Sequence, residues 1–455
     1  MVQSPNPPLQ SPPTVSGLPF LGNAPAFIAA NGIPVEFLQK AQQDCGDIAH
    51  FKVMSQSFYL VSSPELVREI LVERVKDFHK PEAVSEKPRL LGRFLGHGIL
   101  TADYEEWRPQ RKLIQPLMHT KYIEQYADTM AQMGNRLLSE WQHGEERNIH
   151  ADMTRVTMWI IAETMFGISP EQTTSLDEAV SAGQKIVIDD LVSPIPSWLT
   201  GRNAQADKLN TQLTELVKRF ISDHRADPYA EHKDLLSLLL ATRDENGQPP
   251  SEEFLRDNIL TMFFAGHETT ANTLTWALYY LSQHPSTLSQ LQQEVDSVLS
   301  PDRLPTLADL PNLPYTLMVI KETMRIQPTV GAFPRIILED VTLGDYQLKA
   351  NSTVLISPYV LHHDPRRWVL PEVYDPNRFS AECETIIAKY GYLPFGGGPR
   401  VCIGNHFALM EAQILLSLIV RHYQMHLMPD AKIEPLHHVT AYPKHGLPMR
   451  LEKRS

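Results

Sequence analysis

Apolar residues recur at helical spacing through the middle of the chain, over roughly Thr120 to Trp141, Thr154 to Phe166 and Ala204 to Asp227. The longest such pattern begins after Pro249-Pro250. Ser251 is placed to cap it, and Glu252 and Glu253 suit the positive end of its dipole. It runs to about Gln283 and stops at His284-Pro285. At about 1.5 Å per residue it spans roughly 50 Å, enough to cross a whole domain. A shorter helix is predicted over Tyr315 to Gln327, stopped by Pro328, and a last one over Asn405 to Tyr423. Ile48 to Ser62 is rich in β-branched and aromatic residues and reads as strand. Short strands follow near Arg335 to Leu338 and Thr353 to Ser357. No repeat and no linker divides these pieces, and the one biased tract is the Pro-rich Ser4 to Pro13. The pattern predicts a single, mainly α domain over residues 1–455 with a small β-rich corner.

Composition narrows the classes. Of the 455 residues 42% are apolar, enough for a large core. Lys and Arg total 41 against 53 Asp and Glu, a net charge of −12, which speaks against nucleic-acid binding through the surface as a whole. The three cysteines, Cys45, Cys383 and Cys402, are too few and too uneven for a disulfide framework. Met1 to Pro13 has neither the charged nor the apolar part of a signal peptide, and no apolar run is long enough to span a bilayer. These features lead us to expect a cytoplasmic protein with no integral membrane anchor.

The most specific signal is Phe395-Gly396-Gly397-Gly398-Pro399-Arg400-Val401-Cys402-Ile403-Gly404. A metal-bound thiolate needs a loop of this kind. Glycines let the backbone approach a flat cofactor, and N–H groups then point at the sulfur. Arg400 can meet an acidic group on that cofactor, and the helix starting after Cys402 places its positive end near the thiolate, lowering its pKa. Phe395, Gly398, Arg400, Cys402 and Gly404 together match F-x-x-G-x-R-x-C-x-G, which average residue usage yields by chance in roughly one chain in ten thousand. This loop resembles that of the cytochrome P450 family, and the resemblance extends over nearly the whole chain. It implies heme b (iron protoporphyrin IX) held by Cys402, between the long central helix and the helix that follows the cysteine loop.

Other segments match the same family. Glu322 and Arg325 share a helix face and match its E-x-x-R motif. Pro376-Asn377-Arg378-Phe379 resembles its P-E-R-F segment, with Asn377 in place of the acid. The resemblance implies a buried charge cluster of Glu322, Arg325 and Arg378 behind the heme. Trp107 and Arg111 stand one helical turn apart and could reach one anion; the resemblance implies a heme propionate, with Arg335 and Arg400 at the other. Arg108, Lys112 and Lys121 form either a basic patch on the same side or an ordinary solvated face.

Midway along the longest helix lies Ala265-Gly266-His267-Glu268-Thr269-Thr270, a full match to the family's A-G-x-[DE]-T-T. Gly266 is expected to leave room for a diatomic ligand. Thr269 is expected to bond a carbonyl one turn back and, paired with Glu268, to relay protons to oxygen. Glu268, Thr269 and Gly266 are thus the catalytic candidates. Relatives that use peroxide or act as isomerases depart from this acid–alcohol pair, so its presence favours O2 as oxidant.

Segments resembling the family's substrate contacts are apolar and supply Phe94, Leu95, Phe263, Ala265, Val330, Ala332, Phe333 and Tyr442 as pocket candidates. They suit a lipophilic substrate: a terpenoid, a carotenoid or retinoid, a fatty acid or an alkane. Fatty-acid hydroxylating relatives often hold the carboxylate with an Arg and a Tyr in the strand region. There the stretch Met54 to Leu60 holds no Arg and offers Tyr59 alone, which favours a neutral terpenoid. No room remains for a fused reductase, so electrons are expected from a ferredoxin- or flavodoxin-type donor with its own reductase. A segment near Pro194 to Arg202 is expected to open and close the pocket. Two other classes stay open: a heme-thiolate isomerase or dehydratase, against which the Glu268–Thr269 pair argues, and a non-catalytic heme sensor, for which no output domain is found.

Overall fold

The computed structural model describes residues 10–81, 90–192, 200–226, 234–300 and 303–454. Most of the segment expected to open and close, and the start of the Pro-rich tract, lie outside these residues. The principal helices are α1 (Tyr104–Ile114), α2 (Ala127–Ser139), α3 (Ile149–Phe166), α4 (Thr174–Val192), α5 (Arg202–Ala226), α6 (Glu252–Gln283), α7 (Pro314–Ile326) and α8 (Asn405–His422). Among the described residues no helix is long and apolar enough to cross a membrane.

The central helix α6 forms where the sequence places it. Ser251 Oγ accepts the Phe254 N–H at 3.1 Å, satisfying one of the unpaired donors of the first turn. The helix runs 32 residues and is buried along most of its length. It lies against α3, which is buried along most of its length. Gly266 makes this contact possible: a Cβ there would stand 2.7 Å from Ile161 Cδ1 of α3.

The run from Ile48 to Ser62 folds into two strands, β1 (Ile48–Val53) and β2 (Gln56–Val61), paired antiparallel with Ile48 opposite Val61. With β3 (Phe333–Ile337) and β4 (Ser352–Ile356) they form a sheet in the order β1-β2-β4-β3. β2 and β4 are parallel, with Leu60 opposite Leu355. β4 is buried at all five positions, as an apolar inner strand requires. A last hairpin, β5 (Pro435–His437) with β6 (Ala441–Pro443), reaches back to the middle of α6. Trp276 Nε1 donates to the Ala441 carbonyl at 3.0 Å.

One predicted helix is broken. Thr120 to Trp141 forms a turn of helix at Thr120–Ile123, a 3₁₀ turn at Glu124–Tyr126, and then α2. The tighter turn sets the buried Tyr126 ring edge-on to Phe407 of α8, with centroids 6.2 Å apart, so the apolar pattern continues through the break.

Candidate functional site

The cysteine loop is held from both sides. Gly398 has φ +69°, and a Cβ there would lie 2.0 Å from the Leu71 carbonyl oxygen, so no other residue fits. The Cys402 N–H donates to the Phe395 carbonyl at 2.9 Å, closing the loop just before α8. The Cys402 side chain is solvent-accessible and yet has protein around it on nearly all sides; it opens onto an interior cleft rather than the outer surface. Burial pushes the thiol up, against the Gly404 backbone N–H and the Arg111 guanidinium, which both favour the thiolate. The lowered pKa expected from the helix end alone is therefore not found: desolvation outweighs it.

Two arginines flank this loop. Arg111 is half-buried, donates to the Val401 carbonyl at 2.9 Å and to Gln115 at 3.1 Å, and burial lowers its pKa. Arg400 donates to the Ala102 carbonyl at 2.8 Å and lies over the Trp107 ring at 4.7 Å, with its pKa lowered to about 10 by burial. Trp107 thus pairs with Arg400, while Arg111 turns to the loop itself. Among the described residues, neither arginine forms an ion pair with a carboxylate. Two partly desolvated guanidinium groups beside the Cys402 thiol are a donor set for an anionic cofactor. Gly404 agrees: its φ is an ordinary −93°, and a Cβ there would meet nothing nearer than Met118 at 3.9 Å. The protein's own packing does not demand glycine there, whereas a flat ligand against the loop would. Arg335 of β3 is buried, donates to the Pro334 carbonyl at 2.8 Å and lies over Phe333.

On α6 the accessible strip consists of Ala265, exposed in the middle of a buried helix, with Gly266, Glu268 and Thr269 half-buried. Thr269 Oγ1 donates to the Ala265 carbonyl at 2.8 Å, as expected. Two expectations need correction. Gly266 faces Ile161 of α3, so its missing side chain serves helix packing, and the small residue facing the cleft is Ala265. Glu268 does not pair with Thr269: its two oxygens accept Gln184 Nε2 of α4 at 2.7 Å and Thr440 Oγ1 at 2.6 Å.

The charge cluster forms as expected. Glu322 and Arg325 are fully buried and bonded twice, at 2.7 and 2.8 Å, with Arg378 Nε 3.4 Å from Glu322. The Asp375 N–H also donates to Glu322, at 2.9 Å. Burial raises the Glu322 pKa against these partners. No motif pointed to His362. Its Nε2 accepts the Leu393 N–H at 2.8 Å, which assigns the proton to Nδ1, 3.2 Å from the Arg325 carbonyl oxygen. This ring, whose burial drives its pKa well below the usual value, ties the charge cluster to the start of the cysteine loop.

Four pocket candidates pack into the core instead. Phe94, Leu95 and Phe263 have no exposure, and Phe263 stacks on Phe166 at 4.1 Å. Ala332 is buried against the sheet with Leu38, Leu60 and Val360. Apolar character alone does not separate a cleft wall from a core. Val330, Phe333 and Tyr442 are half-buried, and the Tyr442 hydroxyl is 3.0 Å from His438 Nδ1. The basic patch is partly neutralised: Lys112 pairs with Glu245, a carboxylate that Arg108 also stabilises, while Lys121 is exposed.

A cytochrome P450 family profile matches residues 12–448. Cyclooctatin synthase of Streptomyces melanosporofaciens is 34% identical, over 92% of this chain and 91% of its own. Pentalenene oxygenase of Streptomyces avermitilis is 29% identical, over 93% of each chain. The crystal structure of the cytochrome P450DA heme domain superposes with a TM-score of 0.88 at 25% identity, over 99% of both chains. Together with the cysteine loop and its two arginines, these matches show that the chain belongs to the cytochrome P450 family, as a heme-dependent monooxygenase.

Proposed function

We propose that this monooxygenase places one oxygen atom from O2 on a neutral, lipophilic terpenoid, with Cys402 as the thiolate ligand of heme b. Bound there, the heme supplies a redox-active iron that reduces O2 and passes one oxygen atom to the substrate. Arg400, Trp107, Arg111 and Arg335 would hold its propionates. Thr269, with Glu268 as proton source, would deliver protons into the cleft beside Ala265. Electrons would come from a separate ferredoxin- or flavodoxin-type donor.

The observation that carries the substrate class is the engagement of Tyr59. Its ring is buried in the sheet's core and its hydroxyl accepts the Lys349 N–H at 3.3 Å. Tyr59, the side chain that the resemblance offered for a carboxylate, is thus buried away from solvent, which favours an uncharged substrate over a free fatty acid. The relative named pentalenene oxygenase supports a hydrocarbon substrate of this kind. The test is turnover with labelled O2, a ferredoxin and its reductase, supplying a sesquiterpene, a diterpene and a long-chain fatty acid. One labelled oxygen atom in a terpene product supports the proposal; hydroxylation of the fatty acid alone overturns it.

A further inference from the structure

The arrangement around Glu268 goes beyond the acid–alcohol pair. Both carboxylate oxygens are committed, one to Gln184 Nε2 at 2.7 Å and one to Thr440 Oγ1 at 2.6 Å. Thr269 meanwhile donates to Ala265. In this arrangement Glu268 makes no hydrogen bond to Thr269, and turning toward it requires one of the two donors to let go.

The two donors differ in freedom. Thr440 is buried on a backbone pinned from three sides. Its carbonyl accepts the His438 N–H at 3.1 Å, and the next residue bonds both Thr329, at 2.8 Å, and the Trp276 indole, at 3.0 Å. Gln184 is a long, half-buried side chain, and its neighbours Ser181, Ala182 and Lys185 on α4 are exposed. Next to it, Gly183 lets α4 approach α6 closely: a Cβ at Gly183 would lie 3.0 Å from the Phe264 ring. A small rotation of α4 against Phe264 therefore moves Gln184 away from Glu268 without disturbing Thr440.

We propose that Gln184 is a releasable latch and Thr440 a fixed anchor, so that Glu268 is turned toward Thr269 only when α4 shifts, as when substrate fills the cleft. Released, Glu268 takes a proton from solvent and passes it to Thr269 Oγ1, while the Thr269 hydroxyl proton moves on into the cleft. Gln184 and Thr440 are then positioning residues that act through Glu268 and suppress proton delivery, and wasteful O2 reduction, in the absence of substrate. This rests on the reading of Thr269 and Glu268 as the proton relay.

Two substitutions of similar size separate the latch from a merely structural role. Gln184→Glu sets a carboxylate against Glu268 and opens the latch; Gln184→Lys keeps a donor and strengthens it. The holoenzyme, given a ferredoxin, its reductase and no substrate, is followed for O2 consumption in H2O and D2O. Amide exchange over residues 178–192 is measured alongside. Losing a hydrogen bond to a charged group is expected to raise substrate-free O2 consumption about tenfold in Gln184→Glu, with faster exchange in α4. Gln184→Lys is expected to stay at or below the wild-type rate in both. Gln184→Leu, which removes the donor without adding charge, is expected to follow Gln184→Glu and replaces it if that variant does not accumulate with heme. Equal responses to Glu and Lys, or none to either, overturn the latch. Thr269→Ala serves as the reference. If it alters the solvent isotope effect while Gln184→Glu does not, the latch fails and the relay stands; if neither does, the relay itself fails.

Discussion

At the scale of single residues, chemistry that depends on close spacing along the chain could be read before the fold was known. Cys402 sits inside a loop whose glycines and arginine declare its use, and Thr269 bonds the carbonyl four residues back because any helix places it there. Thr269→Ala is expected to keep substrate binding and lower product formed per O2 consumed by about tenfold or more, measured as product against oxygen uptake. The partners of Glu268 were not legible, because Gln184 and Thr440 lie 84 and 172 positions away. Glu411 had a visible signal, a lone acid in the apolar run of α8. It is fully buried, and neither oxygen makes a hydrogen bond of ordinary geometry, although the Thr270 hydroxyl lies close enough to favour the charged form. Burial holds its carboxyl well above the usual range. The folded protein therefore keeps this proton at a pH where the unfolded chain has lost it, and stability falls as pH rises through that window. Glu411→Gln removes the penalty. Its unfolding free energy is expected to gain on the wild type by about 1.4 kcal/mol per pH unit above about 4.5, until the native carboxyl titrates. Chemical denaturation at pH 5, 6 and 7 checks this, and a constant difference would contradict it.

At the scale of elements, boundaries set by local chemistry were legible and contacts between elements were not. The Ser251 cap and the prolines after Gln283 and Ile326 fix the ends of α6 and α7 to within a residue. The role of Gly266 could not be read, since it depends on Ile161 standing 2.7 Å from the position of its missing Cβ. Gly266→Val is expected to cost about 1–3 kcal/mol in urea unfolding by forcing α3 and α6 apart. Carbon monoxide binding to the reduced protein is expected to change little, whereas Ala265→Val, on the face toward the cleft, is expected to weaken it. The reverse pattern would restore Gly266 as the residue that makes room for a ligand. The pocket candidates failed for a related reason. Phe263 and Phe264 are adjacent and both apolar, and only the position of Phe166, which stacks on Phe263, decides where that ring goes.

At the scale of the whole molecule, overall charge and buried histidines set the response to solution conditions. His150, His267, His362, His363 and His437 all have pKa values lowered, chiefly by burial, that of His437 to about 4. The native protein holds them neutral where the unfolded chain binds protons. Their contribution to stability is therefore complete above about pH 6.5 and is lost as pH falls below it. His50, His422 and His438 are lowered as well and add to this, while the raised Glu163, Glu322, Glu411, His97 and His224 oppose it. The denaturation midpoint is expected to fall between pH 7.5 and 5.5, and to fall less in His362→Gln if that variant folds. Of the three basic residues expected to form a docking patch, Lys112 is paired with Glu245, Arg108 stabilises the same carboxylate and Lys121 is exposed. Arg108→Glu is expected to slow reduction at low salt and to matter little at high salt, read by stopped-flow absorbance. The most direct test of the central claim is an optical titration of the purified ferric protein with a diterpene hydrocarbon and with the carboxylic acid of the same skeleton. A saturable shift of the thiolate-ligated heme toward high spin with the hydrocarbon, and a weaker one with the acid, is the expected result. Preference for the acid, or a spectrum without thiolate ligation, would contradict the assignment of a neutral substrate in a cleft above Cys402.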